Sequence, residues 1–309
     1  TGERSKVEKF GLLVKKHAEI MLREEIYIES NLLSEQAHQQ FLKEVLAFDP
    51  SKNSERLIKT RGLQLGYELS PPFICIAIDL INFKGLIEKL YMRQYSDESP
   101  ELVIQRIKTD ILKEIKLIFN LQTDISTNMG EDKFIVLHRV DVLRNDIYTD
   151  LTIKSNKLLE RLASNNIKAM IGIGSIADEI SDVKRSISEA WKVIEVGKKI
   201  KSNKNVFVVN EFLLELLLLN LSKDTIEMIK REIAAVAQTE DFGEISETIK
   251  AWCESGFNKI KTASSLFVHR NTLQYRLKKF EDLTQIDIKD YRKVLQYYLG
   301  ILLIELELM

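Results

Sequence analysis

Two cysteines, four histidines and four prolines are few for 309 residues, and each scarcity narrows the field. Cys75 and Cys253 lie far apart and form no spaced thiolate set, which excludes a disulfide framework or a zinc ribbon. His17, His38, His138 and His269 are equally scattered. No metal and no cofactor is therefore expected, and the sparse thiols suit a reducing, cytoplasmic setting. The longest apolar run, FLLELLLLNL over 212–221, is too short to cross a bilayer and contains Glu215. No signal peptide is visible, so no membrane partner is expected. Excess charge of one sign is also missing: 45 Lys and Arg against 46 Asp and Glu leave −1. Any anion-binding surface must come from local clustering. No P-loop or Gly-x-Ser-x-Gly turn is present, and no nucleophilic triad assembles. The chain opens at Thr1 without an initiator Met, and a further N-terminal part is expected upstream.

What is present is the composition of a globular protein, 45% hydrophobic and 29% charged, long enough for two or three folded units. Residues 1–50 have no proline before Pro50 and carry Val7, Phe10, Val14, Ala18, Met21, Ile28, Leu32 and Leu42 at helical spacing. They predict one or two long amphipathic helices ending before Asp49-Pro50, a helical connector. Such a helix either packs on its own domain or pairs with a second copy of itself. Glu25, Glu35 and Gln39 interrupt the seam.

Over 54–210 the period alternates. FICIAID (73–79) follows Pro71-Pro72 and reads as a buried strand; helix follows over 101–119. Two strand-like runs then flank a turn at Asn128-Met129-Gly130, the second being KFIVLHRV over 133–140. A helix over 146–164, a strand over 168–174, a helix over 182–197 and a strand over 206–209 complete the pattern. The order β-α-β-β-α-β predicts a ferredoxin-like α+β sheet with helices on one face. IGIGSIA (171–177) matches a dinucleotide fingerprint, but the next helix starts too late. Its glycines are read as ending a strand. Cys75 falls on the expected core strand, as a small hydrophobe. His138 is read as a surface or hydrogen-bonded residue.

IDLINFKGL (78–86) and NMGEDKFIVL (128–137) resemble a degenerate GGDEF domain, the diguanylate cyclase fold. The resemblance implies that Asp79 occupies a metal position and that Gly130, Glu131, Asp132, Lys133 and Phe134 lie over the GGDEF run. Glu131 stands where a glycine admits phosphates, Lys133 replaces an acid, and Ile87 stands where an asparagine reads guanine. Magnesium sites need carboxylates together with phosphates. A sheet kept for packing or dimer contacts is the expectation, with a nucleotide-binding or residual GGDEF-type enzyme as the alternative.

Residues 211–309 read as helical throughout. From Ser255 to Phe280 there is no Asp or Glu, while Lys259, Lys261, Arg270, Arg276, Lys278 and Lys279 give +6. Ile260, Ala263 and Phe267 make one apolar stripe, and Leu273, Leu277, Phe280 and Leu283 a second. Val268-His269-Arg270 leaves room only for a tight connection. This predicts a helix-turn-helix at about 258–284, as against a basic helix in a structural bundle. The second stripe turns Arg270, Asn271, Gln274, Tyr275 and Lys278 outward, where Arg can read guanine and Asn or Gln adenine. His269 or Asn271 is a candidate helix cap, Thr272 a phosphate ligand, and Lys259, Lys261 and Lys279 phosphate contacts.

ASSLFVHRNTLQYRLKKFEDLTQIDIKD (263–290) closely resembles the C-terminal helix-turn-helix of the PucR/CdaR transcription regulators. His269, Arg270, Asn271 and Thr272, then Tyr275, Arg276 and Leu277, carry the match. The degenerate GGDEF-like domain is the usual neighbour in sugar-diacid regulators. Residues 1–22 resemble the tail of a diacid-recognition domain. The resemblance implies a double-stranded DNA operator, a homodimer, and a small-molecule effector (a sugar diacid or glycerate) sensed by a domain largely upstream of Thr1. The expected architecture is thus α+β multidomain: helical connector, ferredoxin-like or GGDEF-like domain, and an all-α DNA-binding domain over 211–309.

Overall fold

In a computed structural model of the chain, residues 4–52, 54–94, 100–119, 124–130, 132–141, 146–200 and 203–306 are described. Two compact units form, Thr1–Ile194 with Lys204–Glu211, and Glu195–Asn203 with Phe212–Met309.

The first unit is built on a five-stranded sheet: β1 Phe73–Ile81, β2 Ile125–Asn128, β3 Lys133–Arg139, β4 Lys168–Ala177 and β5 Val206–Val208. The order is β2-β3-β1-β4-β5, antiparallel except where β5 pairs parallel to β4. Strands β1 to β4 thus have the ferredoxin-like arrangement, and β5 extends one edge. Between and around them run α1 Arg4–Leu46, α2 Glu55–Gln64, α3 Phe83–Gln94, α4 Pro100–Ile118, α5 Ile147–Ser164 and α6 Val183–Lys199.

The helices cover both faces rather than the one expected. Ile74, Ile76 and Ile78 pack with Ile111 and Ile115 of α4 and Leu158 and Leu162 of α5. On the opposite face Phe73 and Cys75 pack with Phe41, Leu42 and Val45 of α1 and Val183 and Ile187 of α6. A strand covered on both sides needs apolar residues at every position, which is why FICIAIDL shows no alternation and is buried throughout. Each such side chain contributes about 1.5–3 kcal/mol of burial.

The two glycines of IGIGSIA lie inside β4, not at its end. A Cβ on Gly172 would stand 1.9 Å from the Ala190 carbonyl oxygen, and one on Gly174 2.1 Å from that of Ser186. They let the backbone of α6 rest directly on the strand, a packing role with no nucleotide in it. Beside this contact the β1–β4 register shifts between Ile74 and Ile76. The Ser186 hydroxyl spans the irregularity: it accepts from the Cys75 N–H at 3.0 Å and donates to the Ser175 carbonyl at 2.6 Å. The Cys75 thiol donates to the Val183 carbonyl, and burial pushes its pKa up to about 12, so it is inert at neutral pH. His138 is hydrogen-bonded, its Nδ1 2.6 Å from Asp124 Oδ2.

The second unit is helical: α7 Leu213–Leu218, α8 Lys223–Ala237, α9 Phe242–Glu254, α10 Lys259–Ser265, α11 Arg270–Thr284 and α12 Tyr291–Glu305. Its core joins Ile233, Ile245, Ile249, Trp252, Leu273, Leu277, Phe280, Val294 and Ile301, all nearly inaccessible. The Phe280 and Tyr297 rings meet edge to face at 5.1 Å. Among the described residues no helix is long and apolar enough to cross a membrane, and no group of three or more His, Cys, Asp or Glu side chains is placed to hold a metal ion.

Candidate nucleic-acid interface

Helices α10 and α11 are started by side chains of the expected kinds. Asn258 Oδ1 accepts from the backbone N–H groups of Ile260 and Lys261 at 3.0 and 3.1 Å. His269 Nδ1 accepts from the Asn271 N–H at 3.3 Å, so His269 is the cap of α11. Between the helices, the Val268 N–H bonds to the Ala263 carbonyl and the Phe267 N–H to that of Ser264. This is a Schellman termination, with Phe267 in the left-handed position at φ +54°.

On α11 the buried positions are Leu273, Leu277 and Phe280. Leu283 is 39% exposed and leaves the stripe. Arg270, Asn271, Thr272, Gln274, Tyr275 and Lys278 are all exposed, and Asn271, Tyr275 and Lys278 follow one another at i, i+4, i+7 on the outer side. The stripe anticipated on α10 is different. Thr262 and Ala263 are buried, whereas Ile260 is 82% and Phe267 97% exposed. A seven-residue helix turns inward through one adjacent pair, and Phe267 lies past its end, where helical spacing no longer applies.

The basic residues fall into two sets. Lys279 Nζ is 2.6 Å from Asp241 Oδ1 and 3.6 Å from Glu244 Oε2, both contributed by or adjoining α9. Arg276 lies 3.2 Å from Glu244 Oε1 and 3.9 Å from Glu247 Oε2. Both side chains fasten α11 to α9, so the Lys279 ammonium is engaged in an ion pair within the bundle where a phosphate contact was expected. Lys278 bonds within its own helix, to Asp282 at 3.2 Å. Lys259, Lys261 and Arg270 are exposed and make no ion pair among the described residues.

Two further cations of this second kind escaped the sequence reading. Lys289 and Arg292 are exposed at the start of α12, again without an ion pair among the described residues. The Phe257 and Tyr291 rings, 4.5 Å apart, bring the start of α12 against the residue preceding the α10 cap. No sequence signal marked them, because Lys289, Arg292 and Lys293 are outnumbered there by Glu281, Asp282, Asp287 and Asp290.

The hairpin of the first unit holds the other candidate chemistry. Asp79 is buried and stands opposite Lys133 in the β1–β3 register. The Lys133 ammonium lies over the Trp191 ring at 5.3 Å. Ile87 packs against the hydrophobic core instead of facing a ligand. Asn128 ties the turn, accepting from the Gly130 N–H at 3.2 Å and donating to the Lys133 carbonyl at 3.3 Å. Glu131 lies outside the described residues. The hairpin thus presents Asp132 beside a lysine, and α3 turns Ile87 into the core.

Comparison with known proteins agrees with both units. Residues 51–196 match the GGDEF-like domain and residues 245–303 the PucR C-terminal helix-turn-helix domain. The chain is similar to the carbohydrate diacid regulator of Escherichia coli (strain K12), at 23% identity over 99% of this chain and 75% of that protein. It is 22% identical to the proline-responsive transcriptional activator PutR of Bacillus subtilis (strain 168), over 63% of this chain and 50% of PutR. The purine catabolism regulatory protein of the same organism is 23% identical over 85% of this chain and 49% of its own length.

Proposed function

The chain belongs among the PucR-type transcriptional regulators, and from that premise we propose that it reads a double-stranded DNA operator with the outer face of α11. The observation that carries this is the division of its basic residues. Arg276 and Lys279 are used up in holding α11 to α9, while Lys259 and Lys261 on α10 and Arg270 on α11, the helix that also carries Asn271 and Gln274, are exposed and make no ion pair among the described residues. Arg270, Asn271 and Gln274 read base edges, with Tyr275 and Lys278 beside them. Thr272, Lys259, Lys261, Lys289 and Arg292 hold phosphates. His269 acts through the cap that starts the helix.

In this reading the chain works as a homodimer paired along α1. Val14, Ala18 and Met21 are exposed on that helix at i, i+4 and i+7, an apolar stripe that a second copy would cover. The effector is a small carboxylate: a sugar diacid, as the name of the carbohydrate diacid relative suggests, with glycerate as the alternative. The middle sheet transmits or packs and does not catalyse, because Lys133 and Ile87 replace groups that metal and guanine need. The setting is cytoplasmic.

Selection of bound duplexes from a randomised pool tests the reading. A shared motif, lost with Arg270→Ala, is the expected result. Selection of no motif overturns it.

A further inference from the structure

Phe267 is the one residue of the helix-turn-helix whose conformation and exposure both work against the fold. It sits in the left-handed region at φ +54°, where a bulky side chain is strained. At 97% exposure its ring packs against nothing among the described residues. Two neighbouring helix ends show what the fold otherwise does. Helix α9 terminates with the same hydrogen-bond pattern and places Gly256, at φ +65°, in the equivalent position. Phe257, also left-handed at φ +58°, holds its ring against Trp252 at 5.9 Å and Tyr291 at 4.5 Å, contacts that offset the strain. Phe267 has the strain without the contacts. A local rule broken with no structural return marks a functional position.

The surroundings say what the ring meets. Phe267 is three residues before Arg270, at the N-terminal end of α11, the end that approaches base edges in this motif. The apolar feature that a major groove offers there is the C5-methyl of thymine, which a phenylalanine ring covers well. We propose that Phe267 is a specificity-determining residue that packs on a thymine methyl at the edge of the operator half-site. This rests on the DNA-binding reading above. It adds an apolar contact from the turn to the polar contacts of the helix.

The test uses the full chain and the duplex that the wild-type protein selects from a randomised pool. Phe267→Gly and Phe267→Asn, both of which favour the left-handed turn, are expected to raise the thermal midpoint while weakening that duplex at least about 5-fold, the lower end of the roughly 5- to 150-fold range of one lost base contact. Phe267→Tyr keeps the ring and retains wild-type affinity. Replacing each thymine in turn by deoxyuridine removes one methyl. One such duplex should bind wild type several-fold more weakly and bind Phe267→Gly no worse than the methylated one. Unchanged affinity of Phe267→Gly overturns the proposal while leaving the operator reading intact. So does weakening that no deoxyuridine position reproduces. A change in self-association of Phe267→Gly without DNA would assign the ring to a protein contact and overturn it as well. Failure of the wild-type chain to select any duplex would instead sink the DNA-binding reading.

Discussion

The Lys279 ammonium lies 2.6 Å from the Asp241 carboxylate, so a residue of the most basic stretch of the chain is committed to the bundle. Charge alone does not mark a DNA contact; a cation must also be unclaimed. Lys279→Ala should therefore lower the stability of the helical unit only slightly, as an exposed ion pair is screened by solvent, and leave the salt dependence of DNA binding unchanged. Lys259→Ala and Lys261→Ala should do the reverse, each reducing the slope of log K against log salt by about one. Titrations at three salt concentrations separate the two behaviours.

Arg270 and Gln274 stand on the exposed side of α11 with no competing ion pair described for Arg270. Arg270→Ala and Gln274→Ala are each expected to cost about 1–3 kcal/mol on the preferred duplex and little on unrelated DNA. Competition binding with scrambled duplexes measures the difference. Equal loss on both kinds of DNA would move these residues from base edges to phosphates.

Ser186 bridges the irregularity between β1 and β4 by accepting from Cys75 and donating to Ser175. Ser186→Ala leaves a buried N–H and a buried carbonyl without that partner. A loss of about 1–3 kcal/mol in the stability of the first unit follows. Denaturant unfolding followed by fluorescence of Trp191, which lies in that unit, reads it directly.

The hairpin predicts a null result in the presence of substrate. With Lys133 opposite Asp79 and Ile87 packed inward, GTP and magnesium should produce no turnover and no calorimetric heat. Asp132→Ala should leave the protein's response to both unchanged. Turnover, or binding abolished by Asp132→Ala, would restore the enzyme alternative.

Glu215 contributes to the pH dependence of the helical unit. Burial raises its carboxyl pKa, with Glu254 and Glu305 adding to the shift and Lys250 opposing it. An acid whose folded pKa exceeds its unfolded one contributes stability that is complete below the ordinary carboxylate range. That contribution is lost as pH rises through the folded value. Glu215→Gln is thus expected to unfold at a higher temperature than wild type at pH 7, with the gap closing toward pH 4.

The element pattern was legible in the chain because it rests on local physics. FICIAID announced a buried strand, and Leu273, Leu277 and Phe280 announced the inner side of α11 through 3.6-residue spacing alone. The acid-free stretch from Ser255 to Phe280 likewise located the basic surface. Composition and spacing could not say which cations are spoken for. That depends on Asp241 and Glu244, some 35 residues away in sequence, arriving beside Lys279 and Arg276 when α9 packs on α11. Nor could they give Phe267 its meaning, since a left-handed turn and a ring without neighbours exist only once α10 has ended and α11 begun. The second layer of helices on the sheet and the close approach of α6 to Gly172 are of the same kind. Periodicity says which side of an element is apolar; only packing decides what lies against it.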